Sequence, residues 1–129
     1  MELKYLWDTN TVIYYLQKQF PETNEILMND IINNYQPAIS AITEIELLCW
    51  KTANENDLDV LKSFISDSIV FELENEVKVQ TIEIRRLFNL KLPDAIIAAT
   101  AITSKLILIS NDRDGFTKIP SLKLINPFK

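Results

Sequence analysis

Asp8, Glu46, Asp94 and Asp112 are the residues of this chain whose types and positions suit shared chemistry. Asp8 closes LKYLWD, Glu46 lies inside ISAITEIELL, Asp94 opens DAIIAATA after Pro93, and Asp112 closes LILISND. Three of them adjoin short apolar runs that read as parallel strands, and in such sheets strand C-termini and helix N-termini gather along one edge. Carboxylates gathered there suit a hard divalent cation, because without a counter-charge the cluster repels itself.

The elements that must position these acids can be read from apolar spacing. The run at 3–7 predicts a strand, followed by Thr9 or Asn10 as a helix cap and by Val12, Ile13 and Leu16 on the helix. Leu27, Met28, Ile31, Ile32 and Tyr35 keep helical spacing, with Pro37 as the stop. PAIS reads as a strand, then come a helix over 43–51, another carrying Leu58, Leu61, Phe64 and Ile65, and the strand SIVFEL. Val77, Thr81, Ile84 and Phe88 mark one face of a long helix, and Pro93 at a first helical position starts the alanine-rich helix 94–103. Strands over 106–109 and 122–125 complete the chain, the last at an edge. Strands alternating with helices predict an α/β, three-layer fold: a mainly parallel central sheet of four to five strands with helices on both faces.

Composition narrows the chemistry. A chain of 129 residues with 47% hydrophobic content suits one domain spanning residues 1–129. The single cysteine, Cys49, excludes an intramolecular disulfide and a cysteine-based zinc site, and the absence of histidine removes the commonest general base. Catalysis must therefore use carboxylates, hydroxyls or amines. No signal peptide or membrane-length apolar segment stands out, which makes a cytoplasmic location the expectation. A net charge of −5 is the wrong sign for holding nucleic acid by phosphate neutralisation alone, so local cations and a metal must attract any such substrate. The single glycine, Gly115, argues against a hairpin-rich fold.

Each acid also has a structural reading. Asp8 suits a helix cap, Glu46 stands at capping-box spacing from Thr43, Asp94 suits a helix dipole, and Asp112 is ordinary in a turn. Glu44 competes with Glu46, but at about 100° per residue the two point roughly 200° apart and cannot line one pocket.

The order of the motifs resembles a known family. Asp-Thr-Asn at 8–10, Ser-x-x-Thr-x-x-Glu-Leu at 40–47, Pro-Asp-Ala-x-Ile-Ala-Ala-Thr-Ala at 93–101 and Ser-Asn-Asp at 110–112 look like the PIN-domain nucleases, with the toxins of VapC type as the nearest match. The resemblance implies a PIN-like fold and an endoribonuclease that cleaves RNA with Mg2+ or Mn2+. It implies Asp8, Glu46, Asp94 and Asp112 as the metal-binding and catalytic acids, with Asp114 as a further ligand. The spacing around Gly115 departs from the shorter family pattern. Thr9, Asn10, Thr43, Ser110 and Asn111 would hold the carboxylates by hydrogen bonds. The resemblance also implies a cognate antitoxin and homodimerisation.

Arg85, Arg86, Lys91 and Arg113 lie close in sequence to Asp94 or Asp112 and could form a phosphate track for RNA, although Arg85 and Arg86 suit ordinary helix-surface pairs equally well. Tyr14, Tyr15, Leu48, Trp50, Leu58 and Leu61 are candidates for an antitoxin groove or for core. Trp7, inside a strand, reads as core rather than as a stacking platform for bases. The competing class is a non-catalytic, receiver-like domain that binds magnesium, yet DTN supplies one acid where that class needs a pair, and Asn111 and Asp112 stand where it needs a lysine. A phosphatase of haloacid-dehalogenase type needs an acid where Asn10 stands. An inactive PIN fold is disfavoured by the presence of all four acids, and a PIN nuclease of another RNA or DNA processing role stays open.

Overall fold

The three apolar pairs Leu6–Trp7, Ala38–Ile39 and Leu108–Ile109 are the centre of the molecule, because neighbouring residues on a strand face opposite sides of a sheet. Leu6, Ala38 and Leu108 enter one core with Ala95, Ala98 and Ile84, while Trp7, Ile39 and Ile109 enter a second with Val12, Met28, Leu47 and Phe64. The computed structural model describes residues 1–51, 54–111 and 115–128. Its sheet has the strand order β3-β2-β1-β4-β5, formed by β1 (Glu2–Trp7), β2 (Tyr35–Ser40), β3 (Ile69–Phe71), β4 (Ile107–Ile109) and β5 (Leu124–Ile125). Every pairing is parallel. The predicted α/β layers are therefore present, with five strands.

Helices α1 (Thr9–Leu16), α2 (Glu22–Asn34), α3 (Ala41–Leu48) and α4 (Glu55–Asp67) supply Val12, Met28, Leu47 and Leu61 to the second core. Helices α5 (Asn75–Leu87) and α6 (Leu92–Ser104) cover the first. Ala95, Ala98, Ala99 and Ala101 are fully buried, so small side chains let α6 lie close against β2 and β4. On α5, Val77, Thr81 and Ile84 are buried as their spacing predicts, and the Thr81 hydroxyl donates to the Val77 carbonyl at 2.7 Å. Among the described residues no helix is long and apolar enough to cross a membrane.

Three local expectations change. The helix expected to run through Tyr35 ends at Asn34, so Pro37 is not its stop, and the strand expected over PAIS starts two residues earlier, at Tyr35. Proline cannot donate to a ladder. The register accommodates it: Leu3 pairs with Gln36 and Leu6 with Ala38, which leaves an extra β1 residue opposite Pro37, and pairing with β3 begins only at Ala38. At α1 the cap is Asp8 rather than Thr9 or Asn10. At α3 the cap is Ser40, whose Oγ accepts from the Ile42 amide at 3.2 Å, so Thr43 and Glu46 form no capping box there.

Gly115 has φ of +84°, a left-handed conformation that glycine adopts without steric cost, and it precedes a 3-10 turn (Phe116–Lys118) whose Phe116 is buried.

Candidate active site

The strand order places the topological switch beside β1: the chain leaves it toward β2 on one side and reaches β4 on the other. Crevices of open α/β sheets form at this point, outside the strand C-termini. Directly beyond the apolar rows stand Asp8, Ser40 and Ser110, one at the end of each of the three central strands, and all three are buried.

Asp8 is held by backbone geometry from two directions. Its carboxylate Oδ1 accepts from the Thr11 amide at 2.8 Å, and its own amide donates to the Ile109 carbonyl at 3.3 Å. The buried Thr11 hydroxyl donates to the same carbonyl at 2.8 Å. The first turn of α1 is thereby fixed to the end of β4. The structural reading of Asp8 is thus realised, and a carboxylate with two oxygens can cap a helix while facing a ligand.

Thr9 joins Asp8 to α3. Its Oγ1 lies 2.6 Å from Glu46 Oε1 and 3.2 Å from Thr43 Oγ1. A threonine hydroxyl has one proton, and the short contact with an acceptor-only carboxylate takes it. The buried Thr43 hydroxyl is then left to donate toward Thr9. Glu46, three residues on from Thr43 along α3, is drawn to the start of α1 by this chain. Glu44, two positions from Glu46, takes no part in it.

Asp94 lies in the first turn of α6, after Pro93, and is half-buried. A helix of 13 residues is about 20 Å long at ~1.5 Å per residue, enough to cross the sheet. Since α6 leads into the start of parallel β4, its N-terminus returns to the edge where β1 ends. Asp8, Glu46 and Asp94 therefore occupy one end of the molecule. Asp112, Arg113 and Asp114 lie outside the described residues.

The remaining candidates separate by environment. Ser110 is fully buried, and the Asn111 carbonyl accepts from Asn126 Nδ2 at 3.1 Å. Asn10 is exposed on α1. Arg85 Nη1 donates to the Leu90 carbonyl at 3.0 Å, which secures the connection that delivers α6, and Lys91 is the exposed cap residue of α6. Arg86 instead borders a surface depression with Val79, Ile82, Glu83 and Leu87 on α5. Of the groove candidates, Leu61 is core, Leu48 is exposed, and Tyr14, Tyr15, Trp50 and Leu58 are partly buried against the second core.

Residues 5–122 match the family model described as PIN domain. The chain belongs to the PIN-domain family. Within that family it is 30% identical, over 95% of its length and 96% of the relative's, to the tRNA(fMet)-specific endonuclease VapC of Salmonella typhimurium. The DNA-bound VapBC structure from Salmonella typhimurium superposes with a TM-score of 0.80 at 28% identity, covering 97% of this chain and 98% of that one. A toxin–antitoxin complex from Klebsiella pneumoniae gives a TM-score of 0.76 at 26% identity, covering 98% and 99%. PIN membership removes the receiver-like alternative, since the DTN and SND segments fall inside the matched span.

PIN nucleases depend in general on divalent metals. Among the described residues of this PIN domain, no three His, Cys, Asp or Glu side chains form a ready-made metal cage. The donor set still fits a hard cation: it consists of carboxylates and hydroxyls, and small divalent ions keep several waters and need only one or two protein carboxylates. Thr9 is the support whose loss is easiest to read. Thr9→Val, which removes the hydroxyl at nearly constant shape, is expected to lower RNA cleavage ~10–100-fold and, because the buried Thr43 hydroxyl loses its acceptor, to cost ~1–3 kcal/mol of stability. Steady-state kinetics beside a thermal melt check this.

Proposed function

We propose that this PIN domain is a metal-dependent endoribonuclease, using Mg2+ or Mn2+, and the toxin of a toxin–antitoxin pair. The observation that carries the proposal is the contact between Thr9 and Glu46, which draws the α3 acid to Asp8 at the edge where Asp94 also lies. The similarity to an endonuclease named for transfer RNA supports an RNA substrate, and the similarity to a toxin–antitoxin complex supports a protein antitoxin as its partner.

Asp8 and Asp94 would hold the cation, with Glu46 and Asp112 reaching it directly or through water, and Asp114 as a further ligand. When bound, the metal supplies charge neutralisation at the scissile phosphate and a lowered pKa for water. The chain's own residues do the rest. Glu46, fixed by Thr9, accepts a hydrogen bond from the attacking water and keeps it in line with the phosphodiester. Asp8 is kept in place by the Thr11 amide, so no reorganisation of the helix start accompanies substrate entry. Lys91 and Arg85, at the same end of the molecule as Asp94, draw in phosphates on either side, with Arg113 beside them in sequence. The homodimer and the cytoplasmic location belong to the same proposal.

Purified protein is expected to cleave RNA with magnesium or manganese, to stop on chelation, and to resume when metal is restored. Cleavage that persists in excess chelator would contradict the proposal. Asp8 allows a finer separation of roles. Asp8→Asn keeps a good cap and Asp8→Ala does not, so both variants lose cleavage, yet only alanine loses ~1 kcal/mol of stability. Urea unfolding of the two variants measures the difference.

A further inference from the structure

A second recess lies next to this edge, and nothing in the proposed chemistry uses it. It is an open pocket of about 420 Å³ lined by Tyr14, Gln19, Phe20, Pro21, Asn111, Asn126 and Phe128. That volume is within the ~300–1,000 Å³ common for organic ligands. Asn111 directly follows Ser110 at the end of β4, and Tyr14 stands on α1, which begins at Asp8. The six residues from Asp8 to Tyr14 amount to about 9 Å along the helix, a distance that one or two nucleotides of extended strand cover.

The lining has a definite chemical character. Phe20 is buried, and Tyr14 and Phe128 are half-buried. The three rings meet edge-on or tilted, with centroids 4.7 Å apart for Tyr14 and Phe128, 4.9 Å for Phe20 and Phe128, and 5.6 Å for Tyr14 and Phe20. Among the described residues none that lines it is charged, although charged residues are 24% of the chain. Such a pocket is poor at selecting a phosphate or a charged peptide side chain and well suited to a neutral planar ring. The hydrogen-bonding side chains that line it are the amides of Gln19, Asn111 and Asn126 and the Tyr14 hydroxyl. Asn126 Nδ2 donates to the Asn111 carbonyl at 3.1 Å and its Oδ1 accepts from the Phe128 amide at 3.0 Å. An amide has two N–H donors and two acceptor lone pairs, so each bond leaves a second position of the same kind on a side chain already fixed in orientation. The C-terminal segment is pinned further by Asn24 Nδ2, which donates to the Pro127 carbonyl.

We propose that this pocket holds one unstacked base of the RNA, one or two nucleotides from the bond that is cut, and thereby sets which unpaired sites the enzyme accepts. This rests on the nuclease reading above. Splayed single-stranded bases stacked on aromatic side chains and read by amides are the usual basis of sequence-specific RNA recognition.

The test uses the full-length protein carrying Asp94→Asn, so that the RNA stays intact, and short single-stranded RNAs with 2-aminopurine placed at successive positions. Fluorescence is expected to be quenched on binding at one position. Adding Phe128→Leu relieves that quench and weakens binding ~5–150-fold, in line with about 1–3 kcal/mol per stacked base, while Phe128→Tyr restores both. An RNA that is abasic at the same position binds equally well with Phe128 or Leu; affinity lost for the abasic RNA as well overturns the proposal, because the effect then comes from the fold. Uniform quenching at every position, or Phe128→Leu weakening capture of the antitoxin without changing RNA binding, also overturns it. These results leave the nuclease reading standing if the unmodified protein cuts RNA with metal. Failure to cut any RNA refutes that reading instead.

Discussion

Replacing Asp94 by asparagine is expected to reduce RNA cleavage by a factor of about a thousand or more, the scale seen when one charge-stabilising group of a cooperating set is lost. The substitution is nearly isosteric at a half-buried position in the first turn of α6, after the proline that starts the helix. Removing a carboxylate from a helix N-terminus costs only ~0.3–1 kcal/mol. The unfolding transition of Asp94→Asn should therefore stay within a few degrees of the parent. Loss of activity together with loss of folding would assign Asp94 a structural role, and near-parent activity would remove it from the site.

The largest effect on stability is expected from Trp7, the residue immediately before Asp8. Its side chain is 1% exposed and its ring lies 5.3 Å from that of Phe64 and 5.4 Å from that of Tyr15. Trp7→Ala removes the largest side chain of the second core and leaves a cavity in close-packed surroundings, a change that costs ~3–5 kcal/mol. Against a typical total of about 5–15 kcal/mol, that is a large share of the fold's stability. Urea unfolding should show a markedly lower midpoint with a similar slope, and Trp7→Phe should recover part of the loss. A cost under ~1 kcal/mol would mean that the site closes around the cavity or that Trp7 is not packed as described. Trp50 is a contrasting control, since it is only partly buried and its truncation should cost less.

Much of this architecture was legible because parallel strands buried on both faces produce short apolar runs, and three of these end in Asp8, Ser40 and Ser110. The spacing of Val77, Thr81 and Ile84 gave α5, and Pro93 gave the start of α6. The strand reading of PAIS placed Pro37 correctly, and only its reading as a helix stop misled, because that effect was judged locally. A proline is expected to stop a helix, but here the helix had already ended at Asn34, and a register shift against β1 lets Pro37 lie within β2. In the sequence the cap of α1 stays open between Asp8 and its two neighbours for a related reason. Asp8, Thr9 and Asn10 are all good cap residues, and the choice was made by tertiary contacts: Ile109 holds the Asp8 amide and Glu46 engages Thr9. Thr43 and Glu46 had capping-box spacing, yet Ser40 begins α3, so their hydroxyl and carboxylate meet Thr9 instead.

The pocket of Tyr14, Phe20 and Phe128 had no signal in the sequence. Its rings are separated by up to 114 residues and converge only because β5 returns the C-terminal segment to the end of β4. Arg85 was legible as a cation near the site, but its hydrogen bond to Leu90 depends on the shape of the connection between α5 and α6, which periodicity does not encode.

The most direct test of the central claim is a crystal structure of the protein grown with Mn2+ and analysed by anomalous diffraction. A peak bonded to carboxylate oxygens of Asp8 and Asp94, with Glu46 reaching it directly or through one water, is the result expected. A peak bound by neither Asp8 nor Asp94, or the three carboxylates facing away from one another, would contradict the account.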